Sequence, residues 1–308
     1  ALFFAFYFVA YDPYRAMYLD MIDEDAVAGR AQSTQALARG LGTGCALLGG
    51  GLLLSVARPL PFAVSALILL SAVGAFVVLI LRRGLPEQAQ EDAEGPLQVA
   101  RRLPGLVKKH PALRAYFVAN ALWEMALAGL KAFVVLYLTI GLHYELTTAS
   151  LLIGGVALVI LIGAGATGKA GDKWGRIRVV KFALWGYGLG FAVLVFTTSR
   201  PLLAAAMPFI AIGGGAVMTM AYAILMPLMP DDEHGALTGF YSLSRGVGIT
   251  LGPILAGILI AVTSSGPFAA TKGFQAMFIV CAGAALTSIL FVRRLEQAED
   301  DRHQLESE

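Results

Sequence analysis

The sequence predicts an all-α polytopic membrane protein, and three observations support this fold class. Hydrophobic residues make up 57% of the 308 residues and charged residues only 14%, whereas soluble domains carry about 25% charged residues. Glycine is abundant, with 35 residues, as expected where small residues let membrane helices approach each other closely. The hydrophobic residues also fall into long runs separated by short charged segments. Together these features exclude an ordinary soluble domain.

Nine apolar runs are long enough to cross a membrane, because a transmembrane helix needs about 20 mostly apolar residues. The predicted spans are 1–22, 32–57, 61–81, 112–140, 147–168, 179–198, 201–228, 236–263 and 273–292. With the loop after the first span placed in the cytoplasm, most of the 23 lysines and arginines lie on the cytoplasmic side, as the positive-inside rule requires. The predicted organisation is a helical segment 1–83, a cytoplasmic linker 84–111, a helical segment 112–294 and a cytoplasmic tail 295–308 that frays.

An internal repeat relates the two helical segments. The stretch Leu37-Ala38-Arg39-Gly40-Leu41-Gly42 reappears as Leu243-Ser244-Arg245-Gly246-Val247-Gly248, and an acidic loop precedes each copy. Parallel repeats of six helices are a known transporter architecture, and the two copies lie six predicted spans apart. Six spans follow the linker and three precede it, so we expect the first half to be incomplete by three helices.

The most specific motif lies between the fifth and sixth predicted spans. It reads Gly168-Lys169-Ala170-Gly171-Asp172-Lys173-Trp174-Gly175-Arg176, and it resembles the G-x-x-x-D-[RK]-x-G-R loop of the major facilitator superfamily. The resemblance implies two six-helix halves that rock around a midplane site, with this chain supplying helices 4 to 12 of 12. It also implies a conformational latch, for which the candidate residues are Gly168, Asp172, Lys173, Gly175, Arg176 and Arg245.

The opening segment bears on the solute. Tyr11-Asp12-Pro13-Tyr14-Arg15-Ala16, followed by Asp20, resembles the fourth helix of sucrose carriers and of glycoside-cation symporters. This implies a sugar or glycoside as solute, although Tyr11 stands where those symporters have an acid, and the acid here is Asp12. Drug antiporters usually carry a G-x-x-x-G-P pattern in helix five, and in this chain the Gly-Pro pair lies in helix eleven, as Gly252-Pro253. Drug or metabolite efflux is therefore the alternative.

Charged residues inside spans are functional candidates, because they are costly in a membrane unless paired or hydrated. Glu124 lies near the middle of its predicted span, with Asn120 and Lys131 on the same face. Burial favours the neutral form of a carboxyl group, so such a group can exchange a proton near neutral pH. We expect Glu124 to couple protons to transport and Asn120 to bind solute, and a structural hydrogen bond is the alternative role. The other site candidates are Lys131, Asp12, Tyr11 and Arg39.

Two further roles for in-span residues stay open. Arg39 and Arg245 occupy equivalent places in the repeat, where each serves either the cavity or the latch, and latch or packing is favoured for Arg245. Six side chains could line a sugar or aromatic site, although each alone suits packing or an interfacial anchor. They are Tyr7, Tyr11, Gln35, Trp123, Tyr137 and Tyr222.

An intramembrane enzyme is the main rival from another class. It would need two facing acidic clusters, but 20–25 and 231–233 lie in equivalent loops that each precede a helix, where acids are favoured as caps. The sequence predicts a protein without enzymatic activity, cofactor, metal or nucleic-acid partner. Its expected partners are a small solute, a coupling ion (a proton) and membrane lipid.

Overall fold

The computed structural model describes residues 53–54, 56–83, 110–228 and 234–307, with isolated residues at 38, 41, 42, 45, 46, 49, 50 and 105. The chain divides into two units, Ala1–Val99 and Ala100–Glu308. In the first unit, helix α1 runs over Leu60–Arg83, in place of the predicted span 61–81. The predicted spans 1–22 and most of 32–57 lie outside the described residues, as do Tyr11, Asp12 and Arg39.

The described residues of the second unit form a bundle of six α-helices. They are α2 over Pro111–Leu136, α3 over Leu146–Trp174, α4 over Arg176–Phe196, α5 over Arg200–Leu225, α6 over His234–Thr263 and α7 over Met277–Ser307. A π-helical turn, Tyr137–Gly141, extends α2, and short 3-10 turns occupy Met226–Leu228, Ala269–Thr271 and Phe274–Ala276. Seven helices among the described residues are long and apolar enough to cross a membrane, which agrees with the all-α polytopic fold predicted for this part of the chain.

The helix boundaries follow from local sequence. Pro111 and Pro201 lie in the first turns of α2 and α5, where proline loses no helical hydrogen bond and its fixed φ suits a helix start. Gly175 separates α3 from α4 at φ +88°, a conformation that glycine adopts without a Cβ penalty. The turn between these helices is therefore one residue long, whereas the predicted spans left 169–178 as a loop.

Helix α7 is longer than expected. The predicted tail 295–308 does not fray at residue 295, because α7 continues to Ser307. Two contacts hold the first turn beyond the predicted span: Leu295 is buried, and Glu296 forms an ion pair with Lys181 of α4. The remaining sequence contains no glycine or proline that would end the helix.

Packing orders the six helices side by side. Helix α2 packs on α6 and on α7, α4 packs on α7 and on α5, and α3 packs on α5. Aromatic side chains fill the core between them, including Trp123 of α2, Phe191 of α4 and Phe278 of α7, all buried. Large apolar side chains stay exposed on the outer faces of the helices, as a lipid environment permits.

Candidate functional site

The candidate site lies where α2 and α6 pack together. Glu124 is 13 residues beyond Pro111 on α2, or about 20 Å along the axis at 1.5 Å per residue. The apolar helical segment runs over Pro111–Gly141, so the carboxylate lies near the middle of a candidate membrane span.

Glu124 is paired with Arg245 of α6. Arg245 Nε donates to Glu124 Oε1 at 2.7 Å, and the two side chains are 17% and 22% exposed for Glu124 and Arg245. A charge-assisted hydrogen bond of this length is among the stronger polar contacts in proteins. Two residues that the sequence placed in separate groups, one for proton coupling and one for the latch, thus form a single unit in the structure.

Asn120, one turn before Glu124 on α2, makes a second polar contact with Ser244, which precedes Arg245 on α6. Asn120 Nδ2 donates to Ser244 Oγ at 2.7 Å, and Ser244 Oγ donates to the carbonyl of Tyr241 at 2.8 Å. Asn120 is 1% exposed, so its amide faces α6 and makes a structural hydrogen bond in this conformation. A solute that bound Asn120 would have to compete with Ser244 for its amide.

Glycines bring the two helices close at this level. A Cβ built on Gly248 would meet the Glu124 Cβ at 2.9 Å and the Met125 backbone nitrogen at 2.9 Å. A Cβ on Gly252 would likewise lie 3.0 Å from the Gly129 nitrogen. Real Cβ atoms do not approach other atoms this closely, so only glycine fits at both positions. This role was not predicted from the sequence, although the spacing Gly248-x-x-x-Gly252 is a signal for close helix contact.

Lys131 occupies a different environment from the ion pair. It lies on α2 two turns beyond Glu124, and its side chain is exposed, in keeping with a lysine that reaches toward the headgroup region. The predicted common face of Asn120, Glu124 and Lys131 therefore divides into a buried part that contacts α6 and an exposed part.

The aromatic candidates within the described residues are core side chains. Trp123 is buried, and its Nε1 donates to Ser288 Oγ of α7 at 3.0 Å. Tyr222 of α5 is buried edge-on against Tyr241 of α6, with ring centroids 5.5 Å apart. Tyr137 is fully buried beside Phe278 at 5.0 Å. Packing is thus the observed role for all three, while Tyr7 and Gln35 lie outside the described residues.

The latch motif surrounds the α3–α4 turn. Arg176 Nη1 donates to the carbonyl of Ala223 near the end of α5 at 2.9 Å, and the ammonium of Lys173 lies 5.8 Å from the centroid of the Trp174 ring. Asp172 is exposed, and no side chain within the described part of the chain pairs with it. The sixth latch candidate, Arg245, lies on α6 against Glu124.

Comparison with known proteins gives the wider context. The family model described as Major Facilitator Superfamily matches residues 125–308, which include Arg245 and both glycines of the α2–α6 contact but begin one residue after Glu124. This match covers well over half of the chain.

Three curated relatives are similar to part of the chain. Multidrug resistance protein 3 of Bacillus subtilis (strain 168) is 29% identical over 102 residues, 33% of this chain and 20% of the relative. Tetracycline resistance protein, class H, of Pasteurella multocida is 26% identical over 143 residues, 46% of this chain and 34% of the relative. Glucose transporter GlcP of Staphylococcus epidermidis (strain ATCC 12228 / FDA PCI 1200) is 26% identical over 103 residues, 33% of this chain and 23% of the relative. The chain thus matches at most about a third of the length of these relatives.

Proposed function

This chain belongs to the major facilitator superfamily, and we propose that it forms part of a secondary active transporter that couples the movement of a small organic solute to protons. The family and the seven apolar helices make it a multi-pass membrane protein of a transporter family, not an enzyme. The finer proposal, proton coupling, rests on one observation, the ion pair between Glu124 and Arg245 within two membrane spans.

The proposed coupling step follows from the chemistry of this pair. When Glu124 takes up a proton it becomes neutral, and its attraction to the Arg245 guanidinium weakens. A guanidinium cannot give up its own proton at ordinary pH, so Arg245 must find another anion or water. The charged and the neutral form of Glu124 therefore favour different packing arrangements of α2 against α6. A proton-driven conformational change requires such a difference.

In alternating access, a change in helix packing must move one six-helix half of the transporter relative to the other. The second unit supplies one six-helix bundle, and we propose that α2 and α6 face the solute path, with Asn120 and Arg245 open to solute when the Glu124 carboxylate is protonated. The turn at Gly175 and the contact of Arg176 with α5 support a second role for the α3–α4 motif, in which it stabilises one conformation.

Orientation follows the charge asymmetry of the bundle. The end that holds the α3–α4 turn and the Lys181–Glu296 pair carries Lys173, Arg176, Arg178, Arg293 and Arg294, whereas the opposite end carries Arg200 and Lys272. Because basic residues favour the cytoplasmic side, we propose that the α3–α4 turn and the end of α7 are cytoplasmic, in a plasma or cytoplasmic membrane.

Two solute classes are proposed. Efflux of a drug or metabolite is supported by the names of two relatives, the multidrug resistance protein and the tetracycline resistance protein. Uptake of a sugar is supported by the name of the glucose transporter and by the resemblance of residues 11–20 to sugar carriers. The polar pairs on α2 suit either class, since amide and guanidinium groups bind sugar hydroxyls and anionic drug groups alike.

Proteoliposomes that hold the protein carrying this chain test the proposal. A pH-sensitive dye inside the vesicles reports proton movement when tetracycline, ethidium, glucose or sucrose is added outside. Proton movement that depends on one of these solutes supports coupling and identifies the class. Solute movement that neither follows an imposed pH gradient nor moves protons contradicts the proposal.

A further inference from the structure

Helix α4 carries an exposed apolar stripe along its whole length. Its members are Phe182, Trp185, Leu189, Val193 and Phe196, of which Phe196 is 88% exposed and Phe182 67%. The spacings of three and four residues place them on one face of the helix. Arg178, also exposed, precedes Phe182 by four residues and thus caps this stripe at the end that holds the α3–α4 turn.

Helix α7 runs beside α4 and exposes a matching face. Gly188 of α4 packs so closely on Leu286 of α7 that a Cβ would lie 2.7 Å from the Leu286 Cγ. Ile279 and Leu290 of α7 are exposed, and a Cβ on Gly283 would meet nothing within 4 Å. The outer surface along these two helices is therefore apolar and open at Gly283, with room for a flexible chain.

Basic side chains gather at one end of this surface. Arg178 of α4 and Arg293 and Arg294 of α7 are exposed, and the guanidinium carbon of Arg294 lies 5.6 Å from the centroid of the Phe291 ring. Between them, Lys181 binds both carboxylate oxygens of Glu296, at 2.6 and 2.5 Å. This pair joins α4 to α7, and the charges of Lys181 and Glu296 neutralise each other.

The positive charges of Arg178 and Arg293 are not neutralised by a carboxylate among the described residues. The sequence turns acidic only at Glu299, beyond Glu296. Helices α4 and α7 run antiparallel, since Lys181 contacts Glu296 and Gly188 contacts Leu286. Arg178 therefore lies about one helical turn to one side of the ion pair, and Arg293 about one turn to the other side, deeper in the membrane. The three arginines together form a basic band no more than about 9 Å high, which we call the arginine band.

The distance from Arg178 to the far end of the apolar stripe matches the thickness of the hydrocarbon core, and Arg178 lies at one of its boundaries. Arg178 and Phe196 are 18 residues apart on α4, or about 27 Å at 1.5 Å per residue, which is close to the thickness of a hydrocarbon core of about 30 Å. When the apolar stripe lies in the hydrocarbon, Arg178 lies at the level of lipid phosphates. The long side chains of Arg293 and Arg294, which begin less than about 9 Å deeper, extend to the same level.

We propose that the α4–α7 surface binds an anionic phospholipid, with its phosphate on the arginine band and its acyl chains along the stripe and past Gly283. Charge complementarity supports a lipid with net negative charge over a zwitterionic one, since each basic side chain near an anionic membrane surface contributes separately to binding. The proposal rests on membrane insertion alone and is independent of the proton-coupling role of Glu124.

Quenching of Trp185 by brominated lipids tests this site. Trp185 is seven residues from Arg178, about 10 Å deeper in the membrane, where bromine atoms on an acyl chain would contact it. The protein carrying this chain is reconstituted as the Trp174→Phe variant, which removes the exposed tryptophan next to the turn, and Trp185→Phe measures the background from other tryptophans. Brominated phosphatidylglycerol is compared with brominated phosphatidylcholine at equal mole fractions.

The site predicts that phosphatidylglycerol quenches Trp185 at lower mole fraction than phosphatidylcholine, by about threefold or more. Arg178→Gln and Arg293→Gln should each lower this preference, by a factor of about five at most per charge. The matched control is Arg200→Gln with Lys272→Gln, which removes two basic residues at the opposite end of the bundle and should leave the preference unchanged.

Three results would overturn the proposal. Equal quenching by the two lipids, in the Trp174→Phe protein with all its arginines intact, would show that the surface does not prefer an anionic lipid. An equal loss of preference in the control would mean general surface charge instead of a site. Absence of quenching by either lipid would mean that protein covers this surface.

Discussion

Arg245 of α6 donates a hydrogen bond to Glu124 of α2 at 2.7 Å, and this contact joins the two helices near the middle of the bundle. Both side chains are shielded from solvent over most of their surface. Because opposite charges within membrane spans favour each other as partners, this pair is where we propose that protons are coupled to conformational change.

The ion pair between Glu124 and Arg245 should also contribute to the free energy of unfolding. We predict that Glu124→Gln and Arg245→Gln each lower the free energy of unfolding by about 2–4 kcal/mol, since each leaves the partner charge partly buried. The double variant should be less destabilised than the sum of the two by at least about 1 kcal/mol. Thermal unfolding in detergent measures all three, and strict additivity would show that the pair contributes no coupling energy.

Close approach at Gly248 predicts a contrast between two neighbouring glycines. Gly248→Ala should destabilise the protein by about 1–3 kcal/mol, because the new methyl group pushes α6 away from the backbone of α2 at Glu124. Gly246→Ala is the matched control, since a Cβ there meets nothing within 4 Å. It should be neutral or stabilising by up to about 1 kcal/mol, because alanine favours a helix over glycine. Equal effects of the two substitutions in thermal unfolding would contradict the packing described for α2 and α6.

The turn at Gly175 predicts a second glycine contrast. Gly175→Ala should cost about 1–2 kcal/mol, since φ is +88° there and a side chain is strained in that conformation. Gly168→Ala, inside α3 and with nothing within 4 Å of the new Cβ, should cost nothing. The melting temperatures of both variants measure the difference, and a Gly175→Ala protein as stable as its parent would mean that the turn adopts another conformation.

Near residue 295, α7 contacts the bundle through one buried leucine and one ion pair, and we predict that the leucine contributes more. Leu295 is 1% exposed, so Leu295→Ala should cost about 2–4 kcal/mol. Glu296→Gln removes the partly exposed pair with Lys181 and should cost at most about 1 kcal/mol. Thermal unfolding of the two variants ranks the contributions, and a larger loss for Glu296→Gln would mean that the ion pair is the main contact holding this end of α7 to α4.

The sequence was sufficient to predict the fold class and the spans of the second unit, because a run of about 20 apolar residues has few alternatives to a membrane helix. It was less informative at helix ends. The residues 169–174 are polar enough to resemble a loop, yet they continue α3 to Trp174, since charged residues form helices well once outside the hydrocarbon.

The pairing of Glu124 with Arg245 could not be read from local patterns. Arg245 is equivalent to Arg39 in the repeat, and the loop motif suggested a latch, but neither pattern contains the register between α2 and α6. Two signals pointed to it: opposite charges inside spans favour each other as partners, and Gly248-x-x-x-Gly252 indicates where a neighbouring helix approaches.

Proton coupling in Glu124→Gln tests the central claim most directly. In proteoliposomes holding the protein that carries this chain, we predict that Glu124→Gln abolishes solute-dependent proton movement while exchange of labelled solute for unlabelled solute continues, because exchange needs no net proton transfer. Glu145→Gln, which changes an exposed carboxylate just before α3, is the matched control and should behave as the parent. Solute-dependent proton movement at the parental rate in Glu124→Gln would contradict the account, and the ion pair would then be structural.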